Sequence, residues 1–169
     1  MYKKIVSQAS LATLLTLDEV KAQCRVFTDF EDAYLLSLIP AYADLCQSYT
    51  GRMLTRGSAV VVVDSGDLSV LLPYGEVTEV TRLTLDGTES TDFTFGDVTQ
   101  KITIGTDYTT ARIEFNAGYV TLPDVVKSAI LVMVSTAFNN RDDSVVGQTV
   151  NQMPMTSRHL LDRVRLPWQ

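Results

Sequence analysis

The spacing of apolar residues changes twice along the chain, and this feature constrains the fold most. From residue 16 to residue 50, apolar side chains recur three and four positions apart, as on one face of a helix. From residue 59 to residue 116 they alternate and are rich in β-branched types, as in half-buried strands. Helical spacing returns over residues 123–138. This order predicts an α+β fold, with a small bundle of N- and C-terminal helices and a large antiparallel β region inserted between them.

The start of each N-terminal helix is marked by a capping box. Thr16 and Glu19 have the required spacing, so that each side chain accepts a hydrogen bond from the other residue's backbone N–H. Thr28 and Glu31 repeat the pattern, and a long helix is expected over Asp29–Thr50. Two helices are therefore predicted before the β region.

Other residues predict where this helical segment, residues 16–51, bends and ends. Pro40 lies inside the long helix, where proline lacks the N–H donor, so we expect a kink or a break there. Gly51 suits the residue that ends the helix. Residues 1–15 show no clear period and are expected to form an arm. The length of 169 residues is that of one domain.

The β region, residues 59–116, is predicted to contain short strands separated by turns. Asp64-Ser65-Gly66-Asp67 and Asp86-Gly87 supply residues that tolerate positive φ, as tight hairpins require. The six predicted strands are Ala59–Val63, Leu68–Leu72, Glu79–Leu85, Asp92–Phe95, Lys101–Ile104 and Ala111–Asn116.

The helix expected over residues 122–141 is apolar on most of its sides. Such a helix needs partners, either in a bundle core or at a subunit interface. A long polar loop over residues 139–155 and a basic amphipathic helix with a tail, residues 156–169, are expected to follow. The residues predicted to lie at a subunit interface are Leu35, Tyr42, Val126, Ile130 and Met133.

The formal charge of −6 is spread unevenly. Residues 60–115 hold ten acids and three bases, which argues against a nucleic-acid groove, since such a groove needs clustered Lys and Arg. Cys24 and Cys46 fall on apolar helix faces and are expected to be buried free thiols. With a single histidine, His159, no zinc pattern exists, and we expect neither a metal nor a cofactor.

One motif resembles an enzyme signature. Asp64-Ser65-Gly66 follows an apolar strand, as in aspartic proteases, where two such carboxylates share one proton. The motif occurs once and Asp67 would crowd the pair, so a turn is the preferred interpretation. His159 has no orienting acid beyond Asp162, which gives no Ser-His or Cys-His arrangement. The chain is predicted not to be an enzyme, with a small hydrolase using Asp64 as a minor alternative.

The two ends of the chain resemble the head–tail connector family of tailed bacteriophages. The likeness covers roughly half the chain and depends on the order and spacing of several short stretches. They are Leu17–Val26 with the acidic helix start Asp29–Asp32, Ala41–Tyr49 with Thr50-Gly51-Arg52, Ala117-Gly118-Tyr119 with Pro123 and the apolar helix up to Asn140-Arg141, and Leu160–Arg165.

The resemblance implies a structural virion protein. Such a protein forms a ring of identical subunits, docks on the portal of the filled head, meets a tail-side completion protein, and extends the channel through which DNA passes without specific binding. It is expected to be made in the bacterial cytoplasm, because no signal peptide is recognised and no apolar run approaches the ~20 residues that span a bilayer.

The C-terminal helix and tail are the predicted portal-docking element. The candidate residues are Arg158, Leu160, Leu161, Arg163, Arg165 and Trp168. Deletion of Leu166–Gln169 is expected to abolish docking and leave stability nearly unchanged. An alternative function is a β-sandwich recognition module of a phage tail, whose candidate binding residues are Tyr74, Tyr108 and Tyr119.

Overall fold

The computed structural model describes residues 1–64, 68–141 and 155–166. The chain divides into two units. The β unit comprises Met1–Ala9 and Gly51–Val120, and the helical unit comprises Ser10–Thr50 and Thr121–Gln169. The predicted α+β class, with helices from both chain ends in one bundle and the β region inserted between them, is confirmed.

The helical unit is built around one central helix. Its elements are α1 (Leu17–Cys24), α2 (Asp32–Thr50), α3 (Asp124–Asn139) and α4 (Met155–Asp162), with a short 3-10 helix at Leu11–Thr13. α3 contacts each of the other three α-helices, which explains why its sequence is apolar on nearly every side. Most of the predicted loop over residues 139–155 lies outside the described residues.

The capping signals predict the start of α1 correctly, but they place the start of α2 three residues too early. The backbone N–H of Thr16 donates to Glu19 Oε2 at 2.9 Å, and that of Glu19 donates to Thr16 Oγ1 at 3.3 Å, so the first capping box is confirmed. α2 begins at Asp32 instead of Asp29, and the carboxylate of Glu31 accepts from the guanidinium of Arg141 at 3.0 Å. Glu31 thus pairs with a cation at the end of α3.

The long helix is not broken at Pro40. α2 continues through this residue for its full 19 residues. Buried side chains before and after the proline, including Leu35, Ile39, Ala43 and Cys46, fix the helix against its neighbours. Tertiary packing therefore outweighs the local loss of one backbone donor. Gly51 has a φ of 69° and ends α2 as predicted.

Four of the five predicted subunit-interface residues lie in the core of the helical unit. Leu35, Val126 and Ile130 expose none of their surface, and Met133 exposes 1%. Side chains with no exposed surface cannot be the first to touch a neighbouring subunit, so we assign these four to the core. The wide apolar face of α3 is covered by helices of the same chain. Tyr42 alone keeps exposed surface.

The β unit contains two antiparallel sheets. The larger has the strand order β1-β2-β8-β4-β5, and the smaller has the order β3-β7-β6. Their strands are β1 (Tyr2–Gln8), β2 (Gly57–Asp64), β3 (Ser69–Leu71), β4 (Glu79–Leu85), β5 (Thr88–Ser90), β6 (Phe93–Gly96), β7 (Lys101–Ile104) and β8 (Thr110–Ala117). Each of the six predicted strands is present, within two residues at either end.

Side chains from both sheets fill one hydrophobic core. Phe115, Ile113 and Leu83 come from the larger sheet, and Ile102 and Ile104 from the smaller. Each exposes no more than 1% of its surface. Alternation along β8 places every second side chain in this core, which is the period that the sequence displays.

The N-terminal arm and one hairpin are wrong predictions. Residues Tyr2–Gln8 form an edge strand antiparallel to β2, and because most of their side chains are exposed the sequence carries no alternation. β2 and β3 belong to different sheets, so the segment from Asp64 to Asp67 connects two sheets and does not close a hairpin. Residues 65–67 themselves lie outside the described residues. The hairpin at Asp86-Gly87 is confirmed, with φ angles of 48° and 86°.

Candidate functional site

The enzyme-like motif is not supported by its surroundings. Asp64 is exposed at the end of β2, whereas a carboxylate pair that shares a proton is held in a shielded site. Ser65 and Gly66 lie outside the described residues. His159 is exposed on α4. In the part of the chain that the structure describes, no group of three or more His, Cys, Asp or Glu side chains is placed to hold a metal ion.

Both cysteines are free thiols, as predicted. Cys46 is buried in α2, and desolvation raises the pKa of its thiol to about 12. Cys24 is half-buried, and desolvation also raises its pKa. Since the thiolate is the reactive form, Cys46 is a packing residue without nucleophilic chemistry.

The C-terminal patch consists of Tyr49, Arg158, Asp162 and Arg165. The Tyr49 hydroxyl donates to Asp162 Oδ1 at 2.6 Å. The guanidinium groups of Arg158 and Arg165 lie over the Tyr49 ring, 5.9 Å and 5.0 Å from its centroid. Both arginines stay exposed, so the patch presents two cations to the solvent beside an aromatic ring.

α4 is anchored to its own unit. Leu161 exposes none of its surface and Leu166 exposes 3%. The backbone N–H of Leu166 donates to the Thr50 carbonyl at 2.9 Å, and the Ser157 hydroxyl donates to the Ala129 carbonyl at 3.4 Å. Leu161 is therefore a core residue and is not available as a docking anchor.

The remaining docking candidates differ in how far they are accessible. Arg163 is exposed, as are the two arginines of the C-terminal patch. Leu160 is half-buried. Trp168 lies outside the described residues. The burial of Leu166 also changes the expected effect of the Leu166–Gln169 deletion, because that deletion removes a core side chain together with the tail.

The connection between α1 and α2 carries two exposed aromatic rings, and sequence reasoning missed them. Phe27 is 93% exposed and Phe30 is 91% exposed. We call this segment, residues 25–31, the aromatic loop. The available signal was two phenylalanines three residues apart, at the junction of the two predicted helices and next to the acidic residues Asp29 and Glu31. The second capping pattern drew attention to the polar residues instead.

The aromatic loop is clamped by one lysine. The ammonium group of Lys21 donates to Asp29 Oδ1 at 2.7 Å and to Asp32 Oδ1 at 2.8 Å. These hydrogen bonds raise the pKa of Lys21, and Lys21 in turn lowers the pKa of Asp29. Arg25, which caps α1, has a φ of 57° and turns the chain into the loop. The rings are thus presented by an ordered connection.

Half-buried apolar residues form a line along α2. Positions 34, 38, 42, 45 and 49 are three or four residues apart and therefore share one helix face. The residues are Tyr34, Leu38, Tyr42, Leu45 and Tyr49, all of intermediate exposure, and we call this line the α2 stripe. Its first ring is covered by Arg141, whose guanidinium lies 4.6 Å from the Tyr34 centroid and 5.1 Å from that of Phe138. Arginine side chains lie over the rings at both ends of the stripe, Tyr34 and Tyr49.

The β unit has an acidic surface with several paired bases. Arg112 pairs with Glu114 at 3.0 Å, and Arg82 pairs with Glu89 at 3.7 Å. The unit as a whole holds ten acids and seven bases, because bases near its ends partly offset the acidic middle. The exposed acids include Glu76, Glu79, Asp86, Glu89, Asp92, Asp97 and Asp107.

The three tyrosines considered for recognition lie in different surroundings. Tyr108 belongs to the core of the β unit, with 9% of its surface exposed. Tyr74 has a φ of 73° and begins a turn in which Gly75 and Glu76 also have positive φ. The Arg52 guanidinium stabilises this region, since it lies 6.0 Å from the Tyr119 centroid and 3.6 Å from Glu76 Oε1. Tyr74 and Tyr119 therefore support a strained turn.

In the described parts of the chain, no helix combines the length and apolarity needed to cross a membrane.

Residues 14–77 match the family of phage gp6-like head–tail connector proteins. The resemblance predicted from the sequence is confirmed over this segment. No curated protein shows significant similarity to the chain.

Solved structures with the same fold come from gene transfer agent (GTA) particles. A chain in the neck of an empty GTA particle, computed with C6 symmetry, is 21% identical with a TM-score of 0.74, over 98% of this chain and 95% of that chain. A chain in the virion of a native GTA particle gives the same values. A chain in the neck of a native GTA particle, computed with C12 symmetry, is 22% identical with a TM-score of 0.71 over the same shares.

Proposed function

We propose that this protein is a structural ring subunit in the neck of a tailed-phage-like virion, where it joins the portal to the tail. The observation that carries the proposal is the coincidence of two independent likenesses. Residues 14–77 match the gp6-like connector family, and 98% of the chain shares its fold with a chain in a GTA neck. The agreement between them argues for a structural role in the virion and against catalysis.

The proposed assembly is a closed ring of identical subunits. The neck structures that share the fold were computed with C6 and C12 symmetry, which favours a cyclic arrangement here as well. A ring forms when a surface of one subunit meets a different surface of the next and the rotation closes. We expect about a dozen subunits and weak association, so that closure needs the portal or a high protein concentration.

DNA is proposed to pass through the ring without specific binding. The exposed carboxylates of the β unit support this part of the proposal, because like charge opposes contact with phosphates. The bases Arg82 and Arg112 are paired with glutamates, which reduces their attraction for a phosphate backbone.

Portal docking is proposed for the exposed part of the C-terminus. The residues that remain candidates are Arg158, Arg163 and Arg165, with Leu160 as a partly accessible apolar contact and Trp168 in the tail. Arginine and tryptophan are enriched at the centres of protein interfaces because they bury large areas or make bidentate pairs. A tail-side completion protein would contact another surface of the ring.

Co-sedimentation with the portal tests this function. The full chain is expected to sediment with portal rings, and a chain ending at Leu166, which keeps the buried leucine, is expected to fold normally and stay in the supernatant. The charge variant Arg163→Glu should weaken the interaction, whereas Lys101→Glu on β7 serves as a matched control and should not. Binding of the shortened chain at full strength would assign docking to another surface.

A further inference from the structure

Two phenylalanine rings in the aromatic loop have no covering side chains. Among the described residues, Phe27 and Phe30 are the most exposed large hydrophobic side chains, at 93% and 91%. The next, Val98 at 90%, stands in a different unit and carries a much smaller side chain. An exposed aromatic pair three residues apart is typical of an interaction site, because it leaves a large apolar area in water.

The loop that carries the rings is held in place before any partner binds. Lys21 bridges Asp29 and Asp32 with two short hydrogen bonds, and it anchors the loop to α1 on one side and α2 on the other. A contact made by ordered side chains loses less conformational entropy on binding than one made by a mobile segment. The clamp thus favours a docking role for the rings over a role as an accidental surface feature.

We infer that Phe27 and Phe30 of one subunit pack against the α2 stripe of a second copy, around Leu38, Tyr42 and Leu45. This inference rests on the proposed ring. We call Phe27 and Phe30 the donor surface and the α2 stripe of the neighbouring copy the receiver surface. Aromatic rings on the donor would meet a half-buried tyrosine and two leucines on the receiver. Such aromatic and aliphatic contacts combine burial of apolar area with favourable ring packing.

Both surfaces lie on the same helical unit, which is what a ring of one chain type requires. The aromatic loop precedes the start of α2, and Tyr42, at the centre of the stripe, lies 10 residues further on, roughly 15 Å along the helix. Lys21 holds the loop against α1 and α2 at this distance, so the stripe of a second copy is the receiver that we propose. A contact between these two different surfaces is heterologous and can propagate around a closed ring.

The expected area agrees with weak association. Two phenylalanine side chains bury roughly 300–500 Å² together, against about 800 Å² per partner in a stable interface of standard size. The pair would therefore form the centre of the contact and need additional surface for strong binding. Because the two rings bury less area than a stable interface needs, we expect the ring to close only on the portal or at high protein concentration.

The test uses one variant for each surface, measured alone and mixed, by analytical ultracentrifugation of the full-length protein. The donor variant is Phe27→Ser with Phe30→Ser, and the receiver variant is Tyr42→Glu, with Tyr42→Ser as a milder form should the charge disturb folding. Each variant alone should raise the concentration for half-assembly by about thirtyfold or more. An equimolar mixture should form dimers and no larger species, since each pair retains one intact donor and one intact receiver. Val98→Ser is the matched exposed control and should assemble like the unaltered protein.

Different results overturn different parts of the account. If the unaltered protein assembles and the donor variant assembles equally well, the inference fails and the proposed ring stands. A donor variant that forms rings but no longer sediments with the portal would assign the rings to portal docking. Loss of assembly by the donor variant with no dimer in the mixture would reject the α2 stripe as receiver. An unaltered protein that stays monomeric at every concentration and on the portal would contradict the ring and the inference together.

Discussion

The helical unit and the β unit keep their large apolar side chains in different places. In the β unit, aromatic and aliphatic side chains from two sheets enclose one core, and the exposed surface is rich in carboxylates. In the helical unit, a buried core coexists with two nearly fully exposed phenylalanines and a half-buried stripe on α2. The β unit also exposes apolar side chains, among them Tyr2, Val98 and Val120, but only the helical unit exposes phenylalanine rings almost completely. The difference teaches that contacts between copies are best sought first on the helices.

The largest expected effect is a loss of free energy of unfolding when a core side chain of either unit is shortened. It tests whether these side chains are buried within one chain. Ile130→Ala removes a side chain with no exposed surface from α3, and it should lower the free energy of unfolding by about 2–5 kcal/mol. Ile113→Ala, in the core of the β unit, should have an effect of similar size. Urea denaturation followed by circular dichroism measures both. A loss below about 1 kcal/mol for Ile130→Ala would mean that Ile130 is not a core residue and could lie at a subunit interface, as the sequence predicted.

Deletion of the C-terminus from Leu166 onward should have a somewhat smaller effect on the free energy of unfolding. Removing Leu166 together with the tail takes away a buried leucine, which should lower the free energy of unfolding by about 1.5–3 kcal/mol. A chain that ends at Leu166 should melt like the full protein. The two melting temperatures, compared by calorimetry, show whether anchoring stops at Leu166. Equal melting of both shortened chains would mean that Leu166 contributes nothing to the fold.

A helix cap gives a still smaller effect. Thr16→Ala removes the hydroxyl that accepts from the Glu19 backbone N–H, and it should cost about 1 kcal/mol. Thr109→Ala, at an exposed threonine in the β unit, is a control for the loss of a hydroxyl at the surface. Glu19 also bonds to Lys127, and this contact, with the Thr16 backbone, lowers the Glu19 pKa. A lowered carboxylate pKa contributes stability above its unfolded value of 4.5, and this contribution is lost as the pH falls further through the folded pKa.

The smallest effect at neutral pH concerns the thiols. The pKa of Cys46 is raised from 9.0 to about 12, so its stabilising contribution is complete below pH 9 and is lost as the pH rises toward 12. At pH 8 a thiol reagent should therefore modify Cys24 first, and Cys46 should react only on the timescale of unfolding. Cys46→Ser and Cys24→Ser assign the two phases. Rapid modification of Cys46 in the folded protein would contradict its burial.

The helices and most strands could be predicted because their signals are local. The capping box at Thr16 and the alternation along β8 report directly on backbone hydrogen bonds and on which side chains face inward. β1 could not be predicted, since an exposed edge strand has no alternation to display. The pairing of β2 with β1 and β8 joins residues that are 46 to 60 positions apart in the sequence. The continuity of α2 through Pro40 could not be predicted for a related reason, because packing on both sides holds the helix together.

The candidate site was predictable in part. The arginines of the C-terminal helix were identified from composition, and they are exposed as a docking element requires. Leu161, Leu35 and Ile130 were apolar residues on the right helices, but a sequence cannot say whether a helix face is covered by its own chain or by a neighbour. Phe27 and Phe30 were missed because exposure is a property of the folded loop and has no periodic signature.

Native mass spectrometry of the full-length protein, assembled at high concentration and on portal rings, tests the central claim most directly. The account predicts a closed species with a single subunit number, about a dozen, and no intermediate sizes at saturation. The donor variant Phe27→Ser with Phe30→Ser should remain monomeric in the same solution. A protein that stays monomeric on the portal and at every concentration, or that grows into open filaments of variable mass, would contradict the proposal that this chain is a ring subunit.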